Sequence, residues 1–395
     1  MSTSAPIPLI QNGLVFCFDT NNIKSYRGQP TTNYYTNGQL ASGNNVGQEG
    51  GSNPTNEVVI FPNPGDSPYC VRSTAVGGSI YTEYQLTVYN TIVANTTYCL
   101  SCWVAWTPDW DGTYSVFHMR WYDSGGGQAG ASGLEQGTTI ETRVVNGLTW
   151  YRRYYTFNSG SSVNGTHDWY AGYYSNNTKG YRYFTNFQLE AKSYPTPFVD
   201  GTRSNTQGLL DLTRTNTINL SAASFSSNPS TSIVFSGAQY IVNSTPTLAS
   251  SQTTPFTMLA WCKPTNLTGW QTVFGTHGSY RQVGWNGTTF YFGGNGGGGN
   301  SFVSGGSGSN NNWYLLAMAY NGTTAYGYKN GDLVASGSIG SYTGGSNGVN
   351  VVGAFTSTGG EYFQGEVPIA MVYNKVLTAS EILQIYNATR SRFGL

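Results

Sequence analysis

The sequence predicts an all-β protein, and three observations carry that expectation. Charged residues make up only 9% of the chain, against roughly a quarter in ordinary soluble domains. Glycine (52 residues), tyrosine (30) and abundant Asn, Ser and Thr take their place, and aromatics reach 15%. Twisted strands joined by tight turns use such a mixture; long helices need surfaces of Glu, Lys, Arg and Ala. The third observation is alternation: many short segments repeat apolar residues with the period of two that a half-buried strand requires.

The first such segment is "GLVFCFD", where Leu14, Phe16 and Phe18 alternate with Val15, Cys17 and Asp19. A turn-rich stretch follows, and the strand is left without a nearby partner. From about Thr31 to Asp200 comes a separate set: "TTYCLSCWVAW", "TYSVFHMRWYD", "LTWYRRYYTFN", "DWYAGYY" and "KGYRYFTNFQLEA". Phe117, Met119 and Trp121 are expected on one face of their strand, and Tyr181, Tyr183, Thr185, Phe187 and Leu189 on one face of theirs. Strands separated by Gly/Asn/Ser turns indicate a sandwich or jelly roll. Pro195 and Pro197 cannot donate ladder hydrogen bonds, so "SYPTPFVDGTRS" marks a boundary.

A second set begins near Gly201, with "SIVFSGAQYIV", "PFTMLAWCKP", "QTVFGTH" and "TTFYFGG". In "NWYLLAMAYNGTTAYGYKNGDLVASGSI" three strands are joined at Asn321-Gly322 and Asn330-Gly331. Asn-Gly favours the type I′ turn, whose two central residues need positive φ. The intervening "GGNGGGGNSFVSGGSGSNNN" reads as a mobile loop with little to pack. One helix is expected, in "LTASEILQIYNATRSRF": Thr378 at the N-cap and Glu381 three residues on form a capping box. Ile382, Ile385 and Tyr386 then give one apolar face.

Several function classes lose support. The net charge is zero, with 18 basic and 18 acidic residues, and no basic stripe exists to neutralise phosphates, so nucleic acid is not an expected partner. The five cysteines (Cys17, Cys70, Cys99, Cys102 and Cys262) form no even disulfide framework. Cys99 and Cys102 fall on opposite faces of a strand, where they cannot easily share a metal. The first residues lack a cationic stretch followed by an apolar core, and no run of eighteen apolar residues occurs, so neither a signal peptide nor membrane insertion is expected.

The segments quoted from residues 201–395, with "GEVPIAMVYNKVLTASEILQIYNATRSRF", resemble the laminin-G-like, concanavalin A-like family in order and spacing. The variant they resemble occurs in virion proteins of tailed bacteriophages, including those infecting cyanobacteria. There, a phrase like "NGLVFCFDTNNIKSY" runs directly into one like "LLDLTRTNTINL". The resemblance therefore implies that residues 1–30 belong with 201–395 as one discontinuous laminin-G-like sandwich, and that 31–200 is inserted into it. The insert resembles jelly-roll carbohydrate-binding modules, chiefly through "FTNFQLEAKSYPTPF".

Concanavalin A-like folds include glycosidases, whose chemistry needs two carboxyl groups flanking the scissile bond. The Glu-x-Asp-x-x-Glu pattern of the glucanase relatives is absent. His118, His167 and His277 lie in no catalytic pattern, and there is neither a G-x-S-x-G elbow nor a Walker loop. No catalytic residue is assigned. Asp109 and Asp111 in "TPDWDGT" read as turn acids, with calcium the ion their carboxylates would suit. Sugar binding needs exposed aromatic faces beside amides and hydroxyls. Trp110, Trp270, Tyr280 and Trp285 are the loop-placed candidates, against the alternative that each fills a core or an interface.

The expectation is a non-enzymatic virion structural protein on the particle exterior: a tail, baseplate or fibre component or a head decoration. Its expected partners are other virion proteins, further copies of itself (a trimer by analogy) and host-surface glycan. A dedicated carbohydrate-binding adhesin is the second reading and a polysaccharide depolymerase the third.

Overall fold

The computed structural model describes residues 10–35, 55–74, 84–88, 91–112, 115–131, 133, 135–171, 178–221, 223–226, 232–248, 254–276, 281–296, 299–339, 348–356 and 360–395. The chain is all-β and divides into two compact units, Met1–Gln29 with Ser204–Leu395, and Pro30–Arg203. Among the described residues no helix is long and apolar enough to cross a membrane.

The first unit is a concanavalin A-like sandwich of two antiparallel sheets. One has the order Ser224–Phe225, Ile233–Ser236, Gln364–Tyr373, Phe256–Pro264, Tyr314–Tyr320, Thr324–Lys329, Asp332–Ser338. The opening strand Leu14–Asp19 joins this sheet on Gln364–Tyr373, with Cys17 opposite Met371 and Asp19 opposite Ile369. Its partner is thus about as far along the chain as a partner can be. The other sheet has the order Ile218–Asn219, Ile241–Asn243, Asn350–Val352, Trp270–Thr276, Arg281–Asn286, Thr289–Gly296, Gly299–Ser307.

Phe16, Phe18, Phe274, Trp285, Phe292, Met318 and Val372 fill the space between the sheets. Leu259, Trp261, Leu315, Ile369 and Met371 point to the back of the eight-stranded sheet. The C-terminal helix Ala379–Thr389 buries Ile382 and Ile385 in that same back cluster. Strands covered on both faces must be apolar at every position, which is why "YLLAMAY" runs without alternation. Burying each isoleucine contributes roughly 1.5–3 kcal/mol.

The helix starts as expected: Thr378 N donates to Glu381 Oε2 at 2.7 Å, and Glu381 N donates to Thr378 Oγ1 at 3.2 Å. Its far end is tied by Trp261 Nε1 donating to Thr389 Oγ1 at 2.8 Å. Beyond it, Arg392 grips Asp19 through two bonds of 2.8 Å.

The second unit is a jelly-roll sandwich. Its larger sheet runs Thr55–Ile60, Tyr69–Thr74, Tyr181–Glu190, Thr97–Trp106, Leu148–Asn158, Thr138–Val145, and its smaller one Tyr84–Val88, His167–Ala171, Met119–Tyr122, Gln128–Ala131. Leu100, Cys102, Val104, Trp169, Phe184 and Phe187 form the core between them. Thr31–Thr32 pairs with Thr202–Arg203, so the two ends of this unit lie side by side.

Three local expectations are corrected. Tyr181, Tyr183, Thr185, Phe187 and Leu189 do not share a face: the register slips between Thr185 and Gln188, where Asn186 adopts φ 53°. This bulge turns Phe187 and Leu189 into the core beside Phe184, while Tyr183 packs on the opposite face with Trp150. At Asn321-Gly322 only the glycine has positive φ, 104°. Asn321 instead accepts from the amides of Thr323 and Thr324, a side-chain turn of its own. Asn330-Gly331, with φ of 55° and 89°, does form the type I′ turn.

Most of the described part of the glycine-rich stretch is paired strand rather than mobile loop, with Gly293 opposite Phe302 and Gly294 opposite Ser301; residues 308–312 are turn and loop. Glycine serves close approach here. A Cβ on Gly305 would sit 2.1 Å from the Val334 carbonyl oxygen.

Candidate functional site

In the seven-stranded sheet, Val283 and Trp285 of Arg281–Asn286 and Phe290 and Phe292 of Thr289–Gly296 point into the core. Period-two geometry therefore sends Gln282, Gly284 and Tyr291 to the outer face. Tyr291 lies there against two rings brought by neighbouring strands. Trp270 is 5.1 Å away by ring centroids and Phe302 5.7 Å, with Trp270 and Phe302 5.1 Å apart in edge-to-face contact. Tyr291 and Phe302 thus form a shelf on which the indole stands, 36% exposed, while Tyr291 is 1% exposed.

Beside the rings sits a polar cluster. Glu361 Oε2 lies 2.8 Å from Thr272 Oγ1 and 3.1 Å from the Tyr291 hydroxyl. Those two hydroxyls are 2.8 Å apart, and Thr272 Oγ1 also reaches Gln282 Oε1 at 3.2 Å. Glu361 is placed by a backbone at φ 45°, its carbonyl accepting from Thr272 N at 2.8 Å. Burial, and then the Glu361 charge, hold the Tyr291 phenol well above its ordinary pKa, so it stays a neutral donor.

Such a site can stack an apolar ring face and offer hydrogen bonds. Paired acid–base chemistry needs a second carboxyl group. The acidic residues of this unit are Asp19, Asp211, Asp332, Glu361, Glu366 and Glu381. Asp19 is bound to Arg392, and Asp211 accepts from Cys17 N and the Thr213 hydroxyl. Glu366 is held by Ser232 and Lys263, Glu381 caps the helix, and Asp332 closes a hairpin opposite Lys329. Glu361 alone belongs to the shelf.

The aromatic candidates read from the sequence separate here. Trp270 lies on the shelf. Trp285, expected as a loop aromatic, is completely buried, edge-on to Phe290 and Phe363, because it alternates inward with Val283. Trp110 is also buried, with the Arg182 guanidinium 5.2 Å from its ring centroid. Neither ring is free to stack on a sugar. Tyr280 lies outside the described residues, as does His277.

Asp111 is exposed and ties a loop: its Oδ1 accepts from the amides of Thr178 (2.7 Å) and Lys179 (3.0 Å), and its Oδ2 from the Thr178 hydroxyl (2.7 Å). The Thr178 hydrogen bond holds its carboxyl below the ordinary range. Asp109 is exposed in the preceding turn. Among the described residues no cluster of three or more His, Cys, Asp or Glu is placed to hold a metal.

Sequence reading missed Tyr291, Phe302, Thr272, Gln282 and Glu361. Alternation in "TTFYFGG" puts Tyr291 opposite in sense to Phe290 and Phe292, a usable signal. Phe302 was hidden in the glycine-rich stretch, and nothing local marks Glu361.

Residues 235–383 match the family model of the concanavalin A-like lectin/glucanases superfamily (Laminin_G_3). The shelf strands lie within that span. No curated protein matches the sequence. Solved structures with similar folds include the binding domain of Paraclostridial Mosquitocidal Protein 1, at 15% identity and TM-score 0.36, covering 46% of this chain and 49% of that one. The botulinum neurotoxin serotype G binding domain aligns at 15% identity and TM-score 0.38, covering 47% and 49%. Domain 4 of AbnA, a GH43 extracellular arabinanase from Geobacillus stearothermophilus in complex with arabinotriose, aligns at 20% and 0.36, covering 46% and 93%. The chain thus spans about half the length of the first two. At such scores these likenesses say nothing of what this chain binds.

Proposed function

We propose that this chain is a non-catalytic structural protein of a bacteriophage particle's exterior that contacts host-surface glycans through the Trp270 shelf. The observation that carries glycan contact is the half-exposed indole of Trp270 braced on Tyr291 and Phe302, beside hydroxyl, amide and carboxylate groups. Sugars present C–H faces to rings and hydroxyls to such groups. The lone carboxylate there favours adhesion over hydrolysis. The virion setting is supported by the resemblance of the opening and C-terminal phrases to phage virion proteins.

Two measurements test this. Glycan-array binding by the full chain should fall about tenfold or more in Trp270→Ala, a loss on the order of 1.4 kcal/mol. Unchanged binding by that variant would remove the shelf from the reading. A mass-spectrometric census of purified particles should find the chain at a fixed copy number. Its absence from particles, or release of reducing ends from host polysaccharide, would overturn the proposal.

A further inference from the structure

In the jelly-roll unit, the inner face of the larger sheet carries Cys102 and Val104 in the closed core and then Trp106 at its rim. Opposite it, strand Leu148–Asn158 brings Tyr151 and Arg153 to the same face. Together with Pro108, Leu148 and Thr149 they line a groove of about 460 Å³, within the size range of small-ligand sites. The Arg153 guanidinium sits 5.0 Å from the Trp106 ring centroid and 5.3 Å from that of Tyr151. Its Nε donates to Thr139 Oγ1 at 3.2 Å and its Nη1 to the Gln136 carbonyl at 3.3 Å. Of five guanidinium protons, two are spoken for; Nη2 and one Nη1 proton remain.

What sets this arginine apart is the combination of a groove, two ring faces and neutral hydrogen-bond partners around its guanidinium. Arg72 pairs with Glu57, Arg143 with Glu141 and Arg392 with Asp19. Among the described residues no carboxylate lies within ion-pair distance of Arg153. Burial, the leading influence on it, also lowers its pKa, as expected for a cation short of both water and counter-charge. A cation half-withdrawn from water without an anion costs free energy that a ligand's anion would recover. The guanidinium protons that remain, both on Nη2 and one on Nη1, can donate to a carboxylate.

We propose that this groove is a binding subsite for a carboxylated sugar residue, its carboxylate on the remaining guanidinium protons of Arg153 and its C–H face against the rims of Trp106 and Tyr151. Thr107 and Thr149 also line the groove, the Thr107 hydroxyl accepting from Tyr181 N at 2.8 Å. This subsite lies in a different unit from the Trp270 shelf and does not depend on it, so either can fail alone.

Calorimetric titration of the full chain with four probes tests the proposal: trigalacturonate and its methyl ester, and 3′-sialyllactose and lactose. At least one acid should bind tenfold or more tighter than its neutral counterpart. Arg153→Gln should erase that preference, and Arg153→Lys should keep part of it. Far-UV circular dichroism and binding of a shelf glycan should be unchanged in Arg153→Gln, which separates loss of the subsite from loss of folding. Equal binding of acid and neutral probes, no binding of any of them, or a preference that survives Arg153→Gln would overturn the assignment.

Discussion

The shelf around Trp270 and the groove around Arg153 use the same materials, aromatic rings on the face of a twisted sheet, and differ in how the adjacent charge is held. At the shelf, Glu361 is met by two hydroxyls of its own unit, at 2.8 and 3.1 Å. Its charge is answered internally, and the indole is what remains to offer. In the groove, Arg153 meets only neutral partners and two ring faces. The difference suggests a rule for reading β-sandwich surfaces: a charge answered by its own fold orients side chains, whereas an unanswered one recruits a ligand.

The largest effect separates shelf from core. Trp285→Ala empties a fully buried site and should cost about 3–5 kcal/mol of stability, read as a lower denaturation midpoint of the concanavalin A-like unit. Trp270→Ala, at a rim position, should cost only about 1 kcal/mol while removing glycan binding. If the two variants are equally destabilised, Trp270 is another packing residue and the shelf is not a site.

That pair also shows what was legible in the sequence. Trp270 and Trp285 lie in one short stretch of similar composition; the phase set by Val283 turns Trp285 inward, whereas Trp270 starts another strand whose register slips between Thr272 and Phe274. Local rules worked at most of the places where the physics is local, the exception being Asn321-Gly322, where the Asn321 side chain makes its own turn. The capping box at Thr378 and Glu381 and the two positive φ values at Asn330-Gly331 depend on neighbours within a few residues. They failed where a distant strand decides: at the Asn186 bulge, and at Gly305, whose missing side chain is explained by the Val334 backbone. Trp106 and Arg153 meet through pairing of strands well separated in sequence, so the groove has no local signature at all. Glu361 is in the same position, reaching Thr272 from the far end of the unit.

A somewhat smaller effect distinguishes the two units by pH. His167 in the jelly-roll core is fully buried and stacked on Phe157 at 5.1 Å. Burial pulls its pKa down from 6.5 to about 3, against the opposing pull of Asp168. The folded unit therefore stays unprotonated at this site while the unfolded chain takes up a proton below about pH 6.5. Stability is complete above that value and falls progressively towards pH 3. Between pH 7 and pH 4 the loss should be about 3 kcal/mol. Thermal scans across that range should show the jelly-roll transition shifting down, with His167→Phe flattening the dependence. A slope that persists in the variant would assign the acid sensitivity elsewhere.

The smallest effect bears most directly on the comparison. If the groove binds an acid through Arg153, raising ionic strength from about 0.05 to 0.5 M should weaken that binding several-fold, because a half-exposed ion pair is partly screened. Shelf binding of a neutral glycan should hold constant or strengthen slightly, since stacking involves no net charge and salt does not oppose apolar burial. Both are measurable on one preparation by titrating each probe at the two salt concentrations. The informative result is the ratio, because general effects of salt on the protein cancel in it. A ratio that does not move would mean that Arg153 contributes its packing between Trp106 and Tyr151 and not its charge, which would dissolve the distinction between an answered and an unanswered group.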